Sequence, residues 1–167
     1  MIQLKPFDQR HLPKTLEWAN NPEFTRLMDR AFPISDQEHE VWFSKLHEWK
    51  QSIIYFAIET SEGDHHIGNV WLWNIDWLHR KAEVSIVIGD ADLRGKGAGT
   101  EAITCVASYA FERLNLHKIY AHVLAINPRA RRAFEKAGFI LEGTLLEDRW
   151  SGTNYVDVYL LARLAKF

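Results

Sequence analysis

The spacing of apolar and polar residues predicts four strands in the first half of the chain. The run "IQLKPF", Ile2 to Phe7, alternates apolar with polar residues, as a strand with one buried face does. The runs Ser52 to Thr60 and His66 to Asp76 are rich in strand-forming residues, and the turn residues "SEGD" between them predict a hairpin. Lys81 to Asp90 alternates again, which places Glu83 on the face opposite to its apolar neighbours.

Two helices in this half, and a third at the start of the second half, are marked by their end signals and their apolar spacing. Asp8 is placed to cap a helix that runs to about Ala19, and the "NNPE" after it predicts a break. Ser35, with Glu38 three residues later, forms a capping box that predicts a second helix. From residue 97 to residue 113, apolar residues recur at every fourth position and predict a third helix.

The second half continues with a strand, a helix and a hairpin. "HKIYAHVLAI", His117 to Ile126, is typical of a strand. Asn127 is an N-cap residue, Pro128 suits the first helical position, and Gly138 suits the position just after the helix end. Residues 139 to 164 contain two strand runs joined by the turn "SGTN".

The predicted order is therefore β-α-α-β-β-β-α-β-α-β-β. Hairpins give antiparallel pairs, whereas the strand–helix–strand unit from Glu83 to Ile126 needs a crossover and gives a parallel pair. We therefore predict an α/β (α+β) fold, with a single mixed, mostly antiparallel sheet flanked by helices. The chain has 167 residues and shows no linker or repeat, so residues 1–167 are predicted to form a single domain.

Composition limits the classes of function. The sequence is 47% hydrophobic and 25% charged, which is typical of a globular protein, and its formal net charge of −2 does not favour a nucleic-acid partner. No run is long and apolar enough to span a membrane, and no signal-peptide pattern is visible, so we expect a cytoplasmic protein. The single cysteine excludes an internal disulfide, and no paired metal-ligand spacing is present, so we expect no metal.

One glycine-rich stretch stands at a predicted helix start. "RGKGAGT", Arg94 to Thr100, has glycine at every second position from Gly95 to Gly99. A helix N-terminus presents unpaired N–H donors and a partial positive charge, and glycine lets an anion approach them closely. The stretch therefore predicts a cradle for a diphosphate, with a flexible surface loop as the alternative. It lacks the Lys-Ser/Thr of a P-loop, and "DADLR" separates it from its strand, unlike a dinucleotide fingerprint.

The stretch resembles the acetyl-CoA motif of the GNAT N-acetyltransferases, R-x-x-G-x-G/A, through Arg94, Gly97 and Gly99. "INPRARRAFEKAGF", residues 126–139, resembles a second block of that family. "NNPEFTRLM", "PISDQEHEVWF" and "LEGTLLE" resemble the branch that contains ribosomal-protein alanine N-acetyltransferases and spermidine acetyltransferases. The resemblance covers essentially the whole chain and implies that the parallel strand pair is splayed.

The resemblance implies acetyl-CoA as co-substrate and assigns residues to it. The pantetheine arm would lie against the strand at Ile86, Val87 and Ile88, and Asn127 would contact it from the other side. By the family's geometry, Phe134 would lie near the thioester sulfur. The diphosphate would be held by seven consecutive residues, Arg94, Gly95, Lys96, Gly97, Ala98, Gly99 and Thr100.

The resemblance also implies a general base, because an amine must lose a proton before it attacks the thioester. Glu83 is the candidate catalytic residue. The alternatives are that Glu83 pairs with Arg80 or Lys81 at the surface, and that His122 is the base.

The sequence departs from the family pattern at the positions of the acid that protonates the leaving thiolate. Many relatives have Tyr where Phe134 stands, and some have Ser where Ala130 stands, but neither residue here has a donor. One alternative is that the thiolate leaves without an acid. Another is that water, or a hydroxyl such as that of Tyr120 or Tyr155, serves as the acid. The remaining alternative is that catalysis is weak.

The acceptor remains open at this point. A small-molecule amine such as a polyamine or amino sugar, a protein N-terminus, and no acceptor at all (a non-catalytic acyl-CoA-binding module) are the three alternatives. Trp42, Trp71 and Trp73 belong either to an aromatic acceptor pocket or to the core. A homodimer is left open.

Overall fold

The computed structural model describes residues 1–28 and 32–166, and within them it has seven strands and five α-helices. The strands are β1 Ile2–Pro6, β2 Ile54–Thr60, β3 His66–Asp76, β4 Lys81–Ile88, β5 Lys118–Leu124, β6 Ile140–Trp150 and β7 Tyr155–Leu164. The helices are α1 Leu12–Asn20, α2 Pro22–Leu27, α3 Asp36–Leu46, α4 Ala98–Glu112 and α5 Pro128–Lys136. No helix among these residues is long and apolar enough to cross a membrane.

All seven strands form one sheet in the order β1-β2-β3-β4-β5-β7-β6. Every neighbouring pair is antiparallel except β4 and β5, which are parallel. Their pairing runs only from Lys81 opposite Lys118 to Glu83 opposite Tyr120. Beyond Glu83 the two strands separate, so the predicted class of fold and the splayed parallel pair are confirmed.

Local end signals explain most of the helix boundaries. The Ser35 hydroxyl accepts a bond from Glu38 N–H at 3.2 Å, and the Ser35 N–H donates to Glu38 Oε2 at 2.8 Å, which is the predicted capping box. The predicted break at "NNPE" is present, because α1 ends at Asn20 and the backbone of Asn21 is extended, but the sequence analysis missed the short helix α2 that follows. Asn21 accepts a bond from Glu23 N–H at 2.9 Å, and with Pro22 it begins α2, because Asn-Pro is a helix start signal as well as a turn signal.

The main hydrophobic core lies on one face of the sheet, and Glu83 lies on the other face. Helix α4 packs on one face, where Ala82 and Val84 of β4 join the main core with Val106 and Ile119. Helices α1 and α3 lie near the opposite face, and aromatic residues such as Phe7 and Trp42 pack there. Side chains alternate along a strand, so Glu83 points away from α4.

Candidate active site

The loop between β4 and α4 brings backbone N–H groups to a helix start. Gly95 and Gly97 have φ of +76° and +94°, a left-handed conformation that favours glycine. The N–H of Glu101 makes a helical bond to Gly97 O at 3.0 Å. The N–H groups before it, those of residues 98–100, therefore have no acceptor within their own helix and are available to an anion.

The Arg94 side chain holds this loop in place. Its Nε and one terminal nitrogen each donate at 3.1 Å to the carbonyls of Ile88 and Gly89, and the other terminal nitrogen pairs with Glu23 Oε1 at 2.7 Å. The guanidinium also lies 4.5 Å from the ring centre of Phe24. The loop is thus tied to the end of β4 and to α2, and the charge of Arg94 is already partnered.

A cavity of about 310 Å³ lies between the end of β4, the start of α4 and α5. Ten of the predicted cofactor-binding residues line it: Ile86, Val87, Ile88, Arg94, Gly95, Gly97, Gly99, Thr100, Asn127 and Phe134. The other two predicted residues, Lys96 and Ala98, are not in this lining; Lys96 is exposed and Ala98 is buried in the core. The structure therefore brings most of the predicted set together.

The sequence analysis missed three basic residues of this cavity. Arg129, Arg132 and Lys136 line it from α5. Their spacing of three and four residues places them on one face of a helix, so the run "PRARRAFEK" carried the signal. The cavity therefore has a cationic wall opposite the N-terminus of α4.

A second cavity of about 630 Å³ opens where β4 and β5 separate, and we call it the acceptor cavity. Asn127, Ala130 and Phe134 line both cavities, so the two adjoin each other. Phe134 is buried, and its ring centre lies 5.0 Å from that of Phe139 in an edge-to-face contact. Phe134 thus forms part of the wall that joins the two spaces.

Glu83 and His122 meet across the splay and line the acceptor cavity. Glu83 is 6% exposed, and its Oε1 lies 2.8 Å from His122 Nδ1. Its Oε2 accepts a bond from Asn74 Nδ2 at 3.2 Å. The carboxylate is therefore bonded inside the cavity, where His122 and Asn74, and not Arg80 or Lys81, are its described partners.

The two hydroxyls considered as acids lie in different surroundings. Tyr120 stands opposite Glu83 in the strand register, and burial, with Glu83 and Asp76 as further causes, raises the pKa of its phenol. Tyr120 is therefore a protonated donor at neutral pH. Tyr155 lies 60% exposed at the end of the β6–β7 hairpin, against Trp150. Neither tyrosine lines the two cavities described above.

The tryptophans serve both the core and the cavities. Trp71 is buried and Trp73 is partly buried, and both line the acceptor cavity, with Trp73 Nε1 donating to Ser85 Oγ at 3.0 Å. Trp42 packs against Phe7 in the core and also lines a smaller pocket behind Trp71. Within residues 1–28 and 32–166, no group of three or more His, Cys, Asp or Glu side chains is placed to hold a metal ion.

A sheet with a splayed parallel pair, and a glycine-rich helix start at the splay, defines an acyl-CoA-type transferase fold. Residues 2–140 match the family described as the acetyltransferase (GNAT) domain. The spermidine N(1)-acetyltransferase of Vibrio cholerae is 36% identical over 130 residues, which cover 78% of this chain and 73% of that protein.

Solved structures agree with this match. The Vibrio cholerae spermidine N-acetyltransferase in complex with CoA and spermine superposes with a TM-score of 0.90 at 31% identity, covering 98% of this chain and 95% of the other. A dodecameric structure of the spermidine N-acetyltransferase from the same organism gives a TM-score of 0.81 at 29% identity, covering 98% and 93%.

The chain belongs to the GNAT acetyltransferase family. The predicted family is confirmed, and so are the predictions of an N-acetyltransferase and of acetyl-CoA as its co-substrate.

Proposed function

We propose that the protein transfers the acetyl group of acetyl-CoA directly to the primary amine of a small molecule. One observation carries this proposal. Two adjoining cavities join a helix N-terminus, which suits a diphosphate, to a buried carboxylate bonded to a partly exposed imidazole, which suits proton removal. The amine and the thioester would meet between these two ends, beside Phe134.

The cofactor site is proposed from the backbone of β4 and from the two helix starts. Beyond Glu83, the edge of β4 that faces β5 is unpaired, so the N–H groups of Ile86 and Ile88 on that edge are available to the pantetheine arm, whereas the backbone of Val87 faces β3. The N–H groups of residues 98–100 would hold the diphosphate. Arg129, Arg132 and Lys136 would pair with the remaining phosphate charge from α5.

The proton is proposed to leave through the Glu83–His122 pair. A carboxylate only accepts, so the bond at 2.8 Å places the proton of neutral His122 on Nδ1 and leaves Nε2 as an acceptor. The His122 side chain is 32% exposed, whereas that of Glu83 is 8% exposed. His122 therefore takes the amine proton, directly or through a water, and Glu83 stabilises the imidazolium that forms.

The leaving group is proposed to depart as the thiolate, without a donor from Phe134. The amine nitrogen forms a bond to the carbonyl carbon, the carbon–sulfur bond breaks, and the electron pair stays on sulfur. The ammonium loses one proton to His122 before the attack, and the bonded nitrogen loses a second proton as the carbon–sulfur bond breaks. The second proton neutralises the thiolate, directly or through water, and the proton on His122 passes to solvent, which leaves an amide and free CoA.

The relatives support a polyamine as a first acceptor to test, since their names state spermidine and spermine. The test measures thiol release from acetyl-CoA with a panel of amines and of N-terminal peptides. Release with a small amine is the expected result. Release with peptides alone would indicate a protein acceptor, and acetyl-CoA binding without any release would indicate a non-catalytic module.

We also propose that the protein forms a homodimer through β6, the last strand of the sheet. This edge strand exposes Ile140, Leu146 and Trp150 at 66%, 78% and 56%. An apolar strand with an unpaired edge favours pairing with another chain, and a dodecameric relative supports assembly. Light scattering after gel filtration measures the state, and a monomer at micromolar concentration would contradict the proposal.

A further inference from the structure

A small pocket lined by aromatic rings lies beside the acceptor cavity, and the proposed reaction gives it no role. We call it the aromatic pocket. Its volume is about 150 Å³. It is lined by Thr15, Trp18, Ala19, Met28, Ile34, His39, Trp42, Tyr55, Asn69, Trp71 and Val87.

The position of the aromatic pocket suits the body of an acceptor molecule. Met28 and Trp71 line both this pocket and the acceptor cavity. Val87 contributes to its wall, and Ser85 and Glu83 follow on the same face of β4. Alternate residues of a strand are about 7 Å apart. A group in the aromatic pocket would thus be one or two such steps from the proton-accepting pair.

The rings of the aromatic pocket hold one another in place. Tyr55 stacks on Trp71 with ring centres 4.9 Å apart, and Trp42 meets Tyr55 edge-on at 5.2 Å. His39 stacks on Trp42 at 5.0 Å. The pocket is therefore formed before a ligand arrives. An apolar cavity of about 150 Å³ is large enough to bind a benzene-sized ring.

The charges of the two spaces do not suit a polycation. Among the described residues, the lining of the aromatic pocket contains no Asp, Glu, Lys or Arg. The acceptor cavity has one carboxylate in its described lining, Glu83, which His122 and Asn74 already bond, and its one described cation, Arg149, is paired with Asp148. Among the described lining residues, a second ammonium group would lose water without gaining a free carboxylate.

We infer that the acceptor is a primary amine that carries one uncharged six-membered ring, attached directly or through a short linker, with the ring in the aromatic pocket and the amine at His122. This inference rests on the proposed function and narrows its acceptor class. An arylalkylamine and an amino sugar share the ring and the single amine, and both present a face that packs on tryptophan.

The experiment compares kcat/KM for four acceptors: β-phenylethylamine, glucosamine, spermidine and ethylamine. Burial of a ring predicts that at least one ring-bearing amine exceeds both spermidine and ethylamine by about ten-fold or more. The better of β-phenylethylamine and glucosamine identifies an aryl or a sugar ring. A kcat/KM for spermidine that equals or exceeds both ring-bearing amines overturns the inference and leaves the proposed function intact.

Two variants locate the ring. Trp42→Ala removes a wall of the aromatic pocket, and Ala19→Leu fills part of its space without removing a core ring. Each is expected to lower kcat/KM for the ring-bearing amine about ten-fold more than it lowers kcat/KM for ethylamine. Trp49→Ala, at a tryptophan that is 41% exposed, is the matched control. Thermal melting identifies a variant that fails to fold.

The outcomes separate the two proposals. If folded Ala19→Leu keeps full kcat/KM with the ring-bearing amine, the ring does not occupy the aromatic pocket and the inference is wrong. If no amine and no peptide releases thiol while acetyl-CoA binds, the proposed function itself is wrong and the inference falls with it.

Discussion

The bond between Glu83 and His122 offers the sharpest test of the proposed chemistry. Glu83→Gln keeps the size of the side chain and an oxygen that accepts from His122 Nδ1, but it removes the negative charge. The imidazolium that forms as the amine loses its proton would then lack its counter-charge. The change therefore acts on the proton-transfer step, and the fold and the cofactor cavity are expected to stay as they are.

The size of the effect follows from the distance. Two unit charges about 4 Å apart interact by about 4 kcal/mol at an effective dielectric constant of about 20. Glu83 Oε1 lies 2.8 Å from His122 Nδ1, but the His122 side chain is 32% exposed, so solvent screens part of this interaction. We therefore expect a loss of about 3 kcal/mol in the transition state, or about 10²-fold in kcat.

The assay is thiol release at saturating acetyl-CoA, with the acceptor concentration varied. Calorimetry with CoA checks that cofactor affinity is unchanged. His122→Ala is expected to lose about 10²–10⁴-fold in kcat, and the double variant no more than His122→Ala alone, because the two residues act as a unit. Asp76→Asn is the matched control. Asp76 lines neither cavity, and its Oδ2 lies 2.9 Å from His79 Nδ1.

Two results would refute this reasoning. Full kcat in folded Glu83→Gln would show that the carboxylate does not support proton removal. Losses that add in the double variant would show that Glu83 and His122 act separately.

Three further predictions concern the cofactor loop, the leaving group and stability. Gly97→Val places a β-branched residue at a φ of +94°, where strain is about 1–3 kcal/mol, and we expect CoA affinity by calorimetry to fall at least about ten-fold. Gly63→Val, at a φ of +85° in a turn, is its control, and equal affinity in both variants would contradict the proposed cradle. Phe134→Tyr supplies a donor near the proposed thioester position, and we expect kcat to rise less than about ten-fold if the thiolate leaves unassisted; a rise of about 10³-fold would show that the protein lacks a needed acid. Burial lowers the pKa of His66 in the folded chain. Below about pH 6.5 the unfolded chain therefore binds a proton at His66 more readily than the folded chain does, and the free energy of unfolding falls as the pH decreases towards the folded-state pKa. His66→Gln should lose less thermal stability than the parent between pH 7 and pH 5, and an unchanged slope would exclude His66 as a cause.

The sequence predicted the order of the strands along the chain and the parallel pair, because hairpin turns, crossovers and caps can be recognised from the residues themselves. Ser35, Asn127 and Pro128 marked helix starts that the structure has at those positions. Helix α2 was missed because Asn21 and Pro22 suit both a turn and a helix start, and only packing decides between them. Phe24 in α2 is buried, which supplies that packing.

The candidate site was predictable only where it depended on adjacent residues. The glycine-rich loop and the basic face of α5 are patterns of near neighbours. The pair formed by Glu83 and His122 joins residues 39 positions apart on two strands. Whether they meet depends on where the parallel register ends, and alternation within each strand carries no information about that. The ion pair that helps to hold the Arg94 side chain likewise depends on Glu23, which is 71 positions away.

Strand β4 links these features, because one face packs in the core, the other faces the acceptor cavity, and its free edge is the proposed site of the pantetheine arm. Its even-numbered residues pack against α4, while Glu83 and Ser85 stand opposite Trp73 and Trp71 of β3 on the acceptor side. Its edge towards β5 is unpaired beyond Glu83, which is where the pantetheine arm would lie. A slip of one residue in the β3–β4 register would move Glu83 to the core face and Val84 to the acceptor side. The chemistry of the site therefore depends on that register as much as on the residues themselves.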